Sequence, residues 1–477
     1  MSTTQIKDLR TALEFLQEQD GALETVATPV DAWCELSAIY AAKGGGVPVR
    51  PPTRVGSTML FQRVMPSDRP AVVGVFGSRE RCAALLGTTH DRVAEKLIAA
   101  ALSPITPVEG KHPPVQEVVY TEKIDLAAMP IPTMTPGDAG PYITLGLSMA
   151  KDPVTGGRNI SVHRLCVQGT DTLTIWMVPG RHLESFHLSA KALGKPLPIA
   201  IHIGLDPAIY MASCCPNPLA PLGFNELDIA GGLRRRPYEI APCLTIAADC
   251  ISHAEYVLEG EITHDVIPES RSSMYSMPEF LGYDGQPHPG LPVVKIKAIT
   301  HRSNPIFQTV TGPGYEQSNL LGFGLEAAIL YFLRQHVTER VTNAYCSSAG
   351  GGYLLLFLQF RKATEQDDGM VRRAALSVVG AFRMIKQIVL VDDDVDVFSE
   401  EDVWWAMTTR FQVDRDLLQV NNVQGFPLDP SQTPAYSPTI TSAGLTAKAV
   451  FDCTVPFRLK DTFRRTVFAW PVGKSNQ

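Results

Sequence analysis

Between residues 142 and 300 the chain carries six short apolar runs, YITLGLSMA, ISVHRLCV, TLTIWMV, PIAIHIG, AEYVLEGEI and PVVKIKAIT, separated by Gly, Pro and Asp turn residues. Strand-like runs so closely spaced predict a barrel or a sandwich over roughly 118–303. The 477 residues allow two to four domains. With 45% hydrophobic and 19% charged residues the chain can fill sizeable cores and lacks the composition of a disordered segment.

On either side of this stretch the periodicity changes. Upstream, Ile6, Leu9, Leu13 and Leu16 recur at helical spacing, with Gly21 as a stop. The Pro-rich VPVRPPTR (47–54) precedes two buried-strand patterns, MLFQRV (59–64) and AVVGVFG (71–77), and Arg79 to Leu102 returns to helix. The run SPITPVEGKHPPVQE (103–117) reads as a linker. Downstream, helices are predicted over 321–336 and 369–385, and QIVLV (387–391) follows the second as a βαβ crossover requires. The expectation is an α/β (α+β) chain of three regions: an N-terminal α/β domain over 1–115, the strand-rich region over 116–303, and a C-terminal α/β region over 304–477.

The 42 Lys+Arg against 49 Asp+Glu leave a net charge of −7, so no global positive field draws the protein to nucleic acid or an anionic membrane. No run approaches the ~18 apolar residues of a membrane span, and the N-terminus lacks a signal-peptide apolar core. A cytoplasmic protein acting on a small molecule is expected. The nine cysteines form no CxxC pair, which argues against a thiolate zinc site, and Cys214-Cys215 reads as buried filler rather than a redox pair.

Neither GxGxxG nor GxxxxGK[ST] occurs. AGGG (349–352) fits a tight strand-entry turn better than a ligand cradle. The acidic residues of VDDDVDVF (391–398) follow a strand, where they could hold a metal or cap the next element, while Lys386 before that strand could neutralise a phosphate. In RNISVHRLCV, strand alternation puts Asn159, Ser161 and His163 on one face and Arg164 on the other. With His182 and Glu226, Asn159 makes a donor set suited to Mn²⁺ or Mg²⁺, although each residue taken singly has a structural explanation. Glu279, in MPEFLGYDG, is a proton donor if buried or an ordinary loop carboxylate paired with an arginine.

These motifs, with DAGPYIT (138–144), GLDPAI (204–209), GFNELDIAGGLR, AMTTRFQ (406–412) and FDCTVPF (451–457), resemble the UbiD family of decarboxylases that use prenylated flavin mononucleotide, nearest the gallate and 3,4-dihydroxybenzoate branch. The resemblance covers nearly the whole chain. It implies a central split β-barrel that binds the flavin, and a C-terminal α/β region with dimerisation elements in a homodimer. It further implies Mn²⁺ (or Mg²⁺) on Asn159, His182 and Glu226, with K⁺, and a flavin prenyltransferase as the source of the cofactor. Cofactor contacts are expected from Asn159, Ser161, Val162, His163 and Arg164, from Arg181 and His182, from Ser213 and Pro216, and from Glu226 and Lys386. Arg164 and Glu279 resemble the catalytic pair: the arginine holds the substrate carboxylate and Glu279 returns a proton to the ring carbon.

Two departures bear on the substrate. The second Glu that many members carry five residues before the catalytic one is Met274 here, so the Arg-Glu-Glu network is expected to be incomplete. Histidines that face phenolic substrates in the related branch are replaced by Gln317 and Phe426. With Met274 these are the expected substrate-pocket positions, and they favour an indole- or pyrrole-carboxylate-like acid. The alternatives are a 3,4-dihydroxybenzoate or gallate decarboxylase and, more remotely, a flavin-binding protein without decarboxylase activity.

Overall fold

A computed structural model of the chain describes residues 3–468. Residues 1–2 and 469–477, at the outer ends of the first and third expected regions, lie outside the described residues. The chain separates into two compact units. Residues to 331 together with Cys346–Tyr353 form one, and Phe332–Tyr345 with the residues from 354 onward form the other.

The six apolar runs become the six strands of a closed antiparallel barrel in the first unit: Tyr142–Lys151, Arg158–Val167, Thr172–Ile175, Leu197–Ile203, Tyr256–Ile267 and Leu291–His301. Closure comes from Tyr256–Ile267, which pairs with Leu197–Ile203 on one edge and Leu291–His301 on the other. The barrel, not the sandwich, is therefore what the strands build. Its interior takes Ile143, Leu165, Ile199, Ile201, Leu258 and Ile296, each contributing about 1.5–3 kcal/mol by burial. The His182–Ala192 helix adds Leu183, Phe186 and Ala190 to the same apolar cluster. At Gly260 the long strand shifts register where an added Cβ would lie 2.6 Å from the Lys295 carbonyl oxygen.

Before the barrel, the first helix spans Leu9–Gln17, beginning later than Ile6 because Asp8 caps it, accepting the Thr11 backbone N–H while the Thr11 hydroxyl reaches back. The strands Thr58–Met65 and Arg69–Val73 pair antiparallel. The second ends four residues short of the expected Gly77, because Gly74 turns the backbone at φ +87°. The single helix expected over 79–102 is two, Arg79–Leu86 and Val93–Leu102, since Gly87 closes the first in the left-handed conformation.

In the second unit the strands lie in the order Val341–Cys346, Leu355–Phe360, Gln387–Asp392, Leu445–Asp452, Leu417–Gln424. Leu355–Phe360 and Gln387–Asp392 run parallel, and the helix Asp367–Ala381 makes the crossover between them. No described helix is long and apolar enough to cross a membrane.

Candidate active site

The strand Arg158–Val167 carries two chemically distinct sites on its alternating faces. On one face a run of hydrogen bonds has a single allowed polarity. The Nδ1 of His163 must donate to the Trp176 carbonyl (3.0 Å), because a carbonyl only accepts. Burial holds the His163 pKa down at about 4, so the ring is neutral and its Nε2 accepts from the Ser161 hydroxyl at 2.8 Å. Ser161 in turn accepts from Asn159 Nδ2 at 3.0 Å, which leaves Asn159 Oδ1 as an acceptor facing His182 Nδ1 at 3.0 Å. The order of donors and acceptors thus turns the amide oxygen of Asn159 toward His182.

Glu226 completes this cluster. It opens the helix Glu226–Arg234, capped by Asn225, and its Oε2 accepts from the Ile160 backbone N–H at 3.0 Å while Oε1 lies 3.8 Å from His182 Nδ1. Burial raises its pKa against the opposing effects of His182 and the Ile160 N–H. An amide oxygen, an imidazole nitrogen and a buried carboxylate facing one another fit a hard divalent cation, which would supply the charge this carboxylate lacks. With an amide as one donor, the group is distinct from a cluster of three His, Cys, Asp or Glu side chains, none of which is present among the described residues.

The other site belongs to Arg164, half a turn of the pleat away. Its Nη1 donates to Glu279 Oε1 and its Nη2 lies 3.3 Å from Glu269 Oε2, with the guanidinium 4.9 Å from the centroid of the Trp176 ring. Burial works against the charged guanidinium, but the charges of Glu279 and Glu269 outweigh it and raise the pKa. Glu279 stands in a narrow loop closed by backbone bonds from Ser276 N–H to the Gly285 carbonyl and from Gly285 N–H to the Met277 carbonyl, and Gly282 turns at φ +89°. Glu269 is the residue that sequence spacing missed. Only 1% exposed, it accepts from the Tyr142 hydroxyl (3.1 Å) and from the His288 backbone N–H (3.1 Å) as well as from Arg164.

The expectation of an incomplete network is therefore corrected: Arg164 has two carboxylate partners, and the second comes from position 269. Met274 is 74% exposed on the loop between the two glutamates, directed to solvent rather than to Arg164. Val162 shares the Arg164 parity on the strand. Arg181 precedes the His182–Ala192 helix and has no carboxylate partner among the described residues. Ser213 ends the helix Pro207–Ser213, its hydroxyl donating to the Tyr210 carbonyl, and Pro216 opens the following turn by accepting from Leu219 and Ala220. Cys214 and Cys215 are free thiols, as are the other cysteines. Gln317, in the first turns of the helix Tyr315–His336, buries an Oε1 that accepts no hydrogen bond among the described residues.

Lys386 and Phe426 belong to the second unit. Lys386 is paired there with Asp429 Oδ2 (2.7 Å) and donates to Ser431 Oγ (2.6 Å), and Phe426 is buried. The acidic run after the strand is consumed by structural pairs. Asp392 bonds the Val455 backbone N–H and faces Lys362 and Arg410, Asp393 pairs with Arg361, and Asp394 with Arg410. The AGGG segment is likewise a tight turn, where an added Cβ on Gly352 would meet the Ser318 carbonyl oxygen at 2.3 Å.

Three family models match the chain in succession: the N-terminal domain (15–101), the Rift-related domain (106–315) and the C-terminal domain (318–453) of 3-octaprenyl-4-hydroxybenzoate carboxy-lyase. The chain belongs to the UbiD family and is a carboxy-lyase. It is 37% identical over 473 residues to the gallate decarboxylase of Lactiplantibacillus plantarum, covering 97% of this chain and 96% of that one. The apo structure of 3,4-dihydroxybenzoic acid decarboxylase from Enterobacter cloacae superposes with a TM-score of 0.93 at 40% identity, covering 98% of both chains. An evolved dimeric form of the UbiD-class enzyme HmfF from Pelotomaculum thermopropionicum, solved in complex with prFMN, gives 0.82 at 32% identity over 97% of each. The branch of these relatives favours the dihydroxybenzoate or gallate alternative over the indole- or pyrrole-carboxylate expectation.

Proposed function

We propose that this carboxy-lyase decarboxylates a hydroxylated benzoic acid of the 3,4-dihydroxybenzoate or gallate type with prenylated flavin mononucleotide as cofactor, in a non-oxidative and reversible reaction. The observation that carries the reading is Arg164 clamped between two carboxylates on a barrel strand that also bears the Asn159 donor. Asn159 and Arg164 are five residues apart, so their positions are separated by about 16 Å along the strand, a span a flavin mononucleotide can bridge. Asn159, His182 and Glu226 would hold Mn²⁺ (or Mg²⁺) for the cofactor phosphate, with the guanidinium of Arg181, which has no carboxylate partner among the described residues, as a further anion contact. Ser161, Val162, His163, Ser213 and Pro216 are read as lining positions. When bound, the prenylated flavin supplies the electron sink for decarboxylation.

The protein's own groups do the rest. Arg164 orients the substrate carboxylate through a bidentate charge-assisted pair. Glu279, held mainly by Arg164, delivers the proton to the carbon that loses CO₂. The reading includes K⁺ as a further ion, a flavin prenyltransferase as cofactor source, a homodimer, and the three regions 1–115, 116–303 and 304–477.

The test is CO₂ release by protein co-expressed with a flavin prenyltransferase, comparing kcat/KM for 3,4-dihydroxybenzoate, gallate, indole-3-carboxylate and pyrrole-2-carboxylate. The phenolic acids are expected to lead. A tenfold preference for the heteroaromatic acids would return the assignment to Gln317 and Phe426, the residues that favour that second reading. Glu226→Ala is expected to give folded protein that purifies without flavin, and full occupancy in that variant would sink the metal assignment.

A further inference from the structure

One imidazole beside the Arg164 clamp has no part in the chemistry above. His288 lies in QPHPG, where prolines on both sides restrict the backbone and favour an extended conformation at the histidine. Its main chain is bonded twice to Glu269: the His288 N–H donates to Oε2 (3.1 Å), the oxygen that also faces Arg164, and the His288 carbonyl accepts from the Glu269 N–H (3.0 Å). Its ring stacks on Trp176 with centroids 5.5 Å apart and planes at 26°, the same indole that carries the Arg164 guanidinium. The placement is thus fixed at both backbone and ring.

What the placement leaves open is the ring's polar edge. Neither ring nitrogen of His288 has a hydrogen-bond partner among the described residues, and the side chain is half-buried. By contrast His163, His202 and His301 each bond a backbone carbonyl through Nδ1. Burial, and next the Arg164 charge, lower the His288 pKa, so the imidazole is neutral at pH 7, with one nitrogen to accept and one to donate.

We infer that His288 is the substrate-recognising histidine of this enzyme, accepting a hydrogen bond from a ring hydroxyl of a phenolic acid whose carboxylate lies on Arg164. This rests on the phenolic reading proposed above and deepens it by naming the residue that replaces the imidazoles absent at positions 317 and 426. Accepting from the hydroxyl also raises electron density on the ring, which favours protonation at the carbon that loses CO₂.

His288→Phe keeps a flat ring on Trp176 and removes both nitrogens. In the holoenzyme the expected result is unchanged flavin content and unchanged calorimetric affinity for benzoate, with affinity and kcat/KM for 3,4-dihydroxybenzoate each down by about tenfold or more. His288→Gln, which restores a hydrogen-bonding group, should recover part of that loss. An unchanged ratio between the two acids in His288→Phe overturns the assignment, as does an equal fall for both acids or loss of the flavin, either of which makes His288 a packing residue. Wild-type protein that binds benzoate as tightly as 3,4-dihydroxybenzoate overturns the phenolic reading itself, and this inference with it. The wild-type ratio therefore separates the two failures.

Discussion

At the scale of single residues, the two carboxylates on Arg164 differ in how they are held. Glu269 has acceptor contacts on both oxygens and is 1% exposed, whereas among the side chains of the described residues Glu279 is held by Arg164 alone and lies in a turn. Substitution should separate them. Glu279→Gln is expected to keep flavin and stability but to lose decarboxylation by ~10²-fold or more, as for a positioned proton donor. Glu269→Gln turns an amide N–H toward donors and should cost ~1–3 kcal/mol of stability, visible as a lower Tm. Equal Tm values for the two variants would remove the distinction. Glu279 was legible in the sequence through its MPEFLGYDG setting. Glu269 was not, because it sits in the polar loop sequence IPESRSS and its partners Tyr142 and Arg164 arrive from 127 and 105 residues away.

At the scale of elements, the barrel strands could be read because each is an apolar run with turn residues at its ends, and closure then needed only neighbouring pairings. Helix ends were less legible, since they depend on caps and backbone sign rather than periodicity. Asp8 delays the first helix and Gly87 divides another. Gly352 shows how strictly a turn can choose its residue: its φ is +79° and a Cβ would press on the Ser318 carbonyl oxygen at 2.3 Å. Gly352→Ala is expected to cost at least about 1–3 kcal/mol in chemical denaturation, because backbone has to move to admit the methyl group. A cost within ~0.5 kcal/mol would mean the turn relaxes freely.

At the scale of the whole molecule, the barrel ties its stability to pH through a histidine that must stay neutral. His202 is fully buried, donating from Nδ1 to the Leu147 carbonyl and accepting on Nε2 from the Ile251 N–H, both at 3.0 Å. Burial depresses its pKa from 6.5 to about 4. A depressed histidine contributes stability that is present above the unfolded value and lost as pH falls through the folded one. The window is therefore about pH 6.5 down to about 4, and the amount at most ~3 kcal/mol. Urea unfolding at pH 7 and pH 5 should register the decline before most carboxylates titrate, and a flat profile would show that His202 protonates without opening the barrel.

The clamp has a stoichiometric consequence. With Glu269 and Glu279 both ionised, Arg164 leaves these three side chains one negative charge in excess, and a substrate entering as its carboxylate makes it two. Turning a carboxylate into CO₂ and a C–H bond consumes one proton per turnover, so a proton that starts in solvent ends on the product. Reaction in D₂O should therefore place one deuterium per turnover at the vacated carbon, and Glu279→Gln should slow that incorporation in step with CO₂ release.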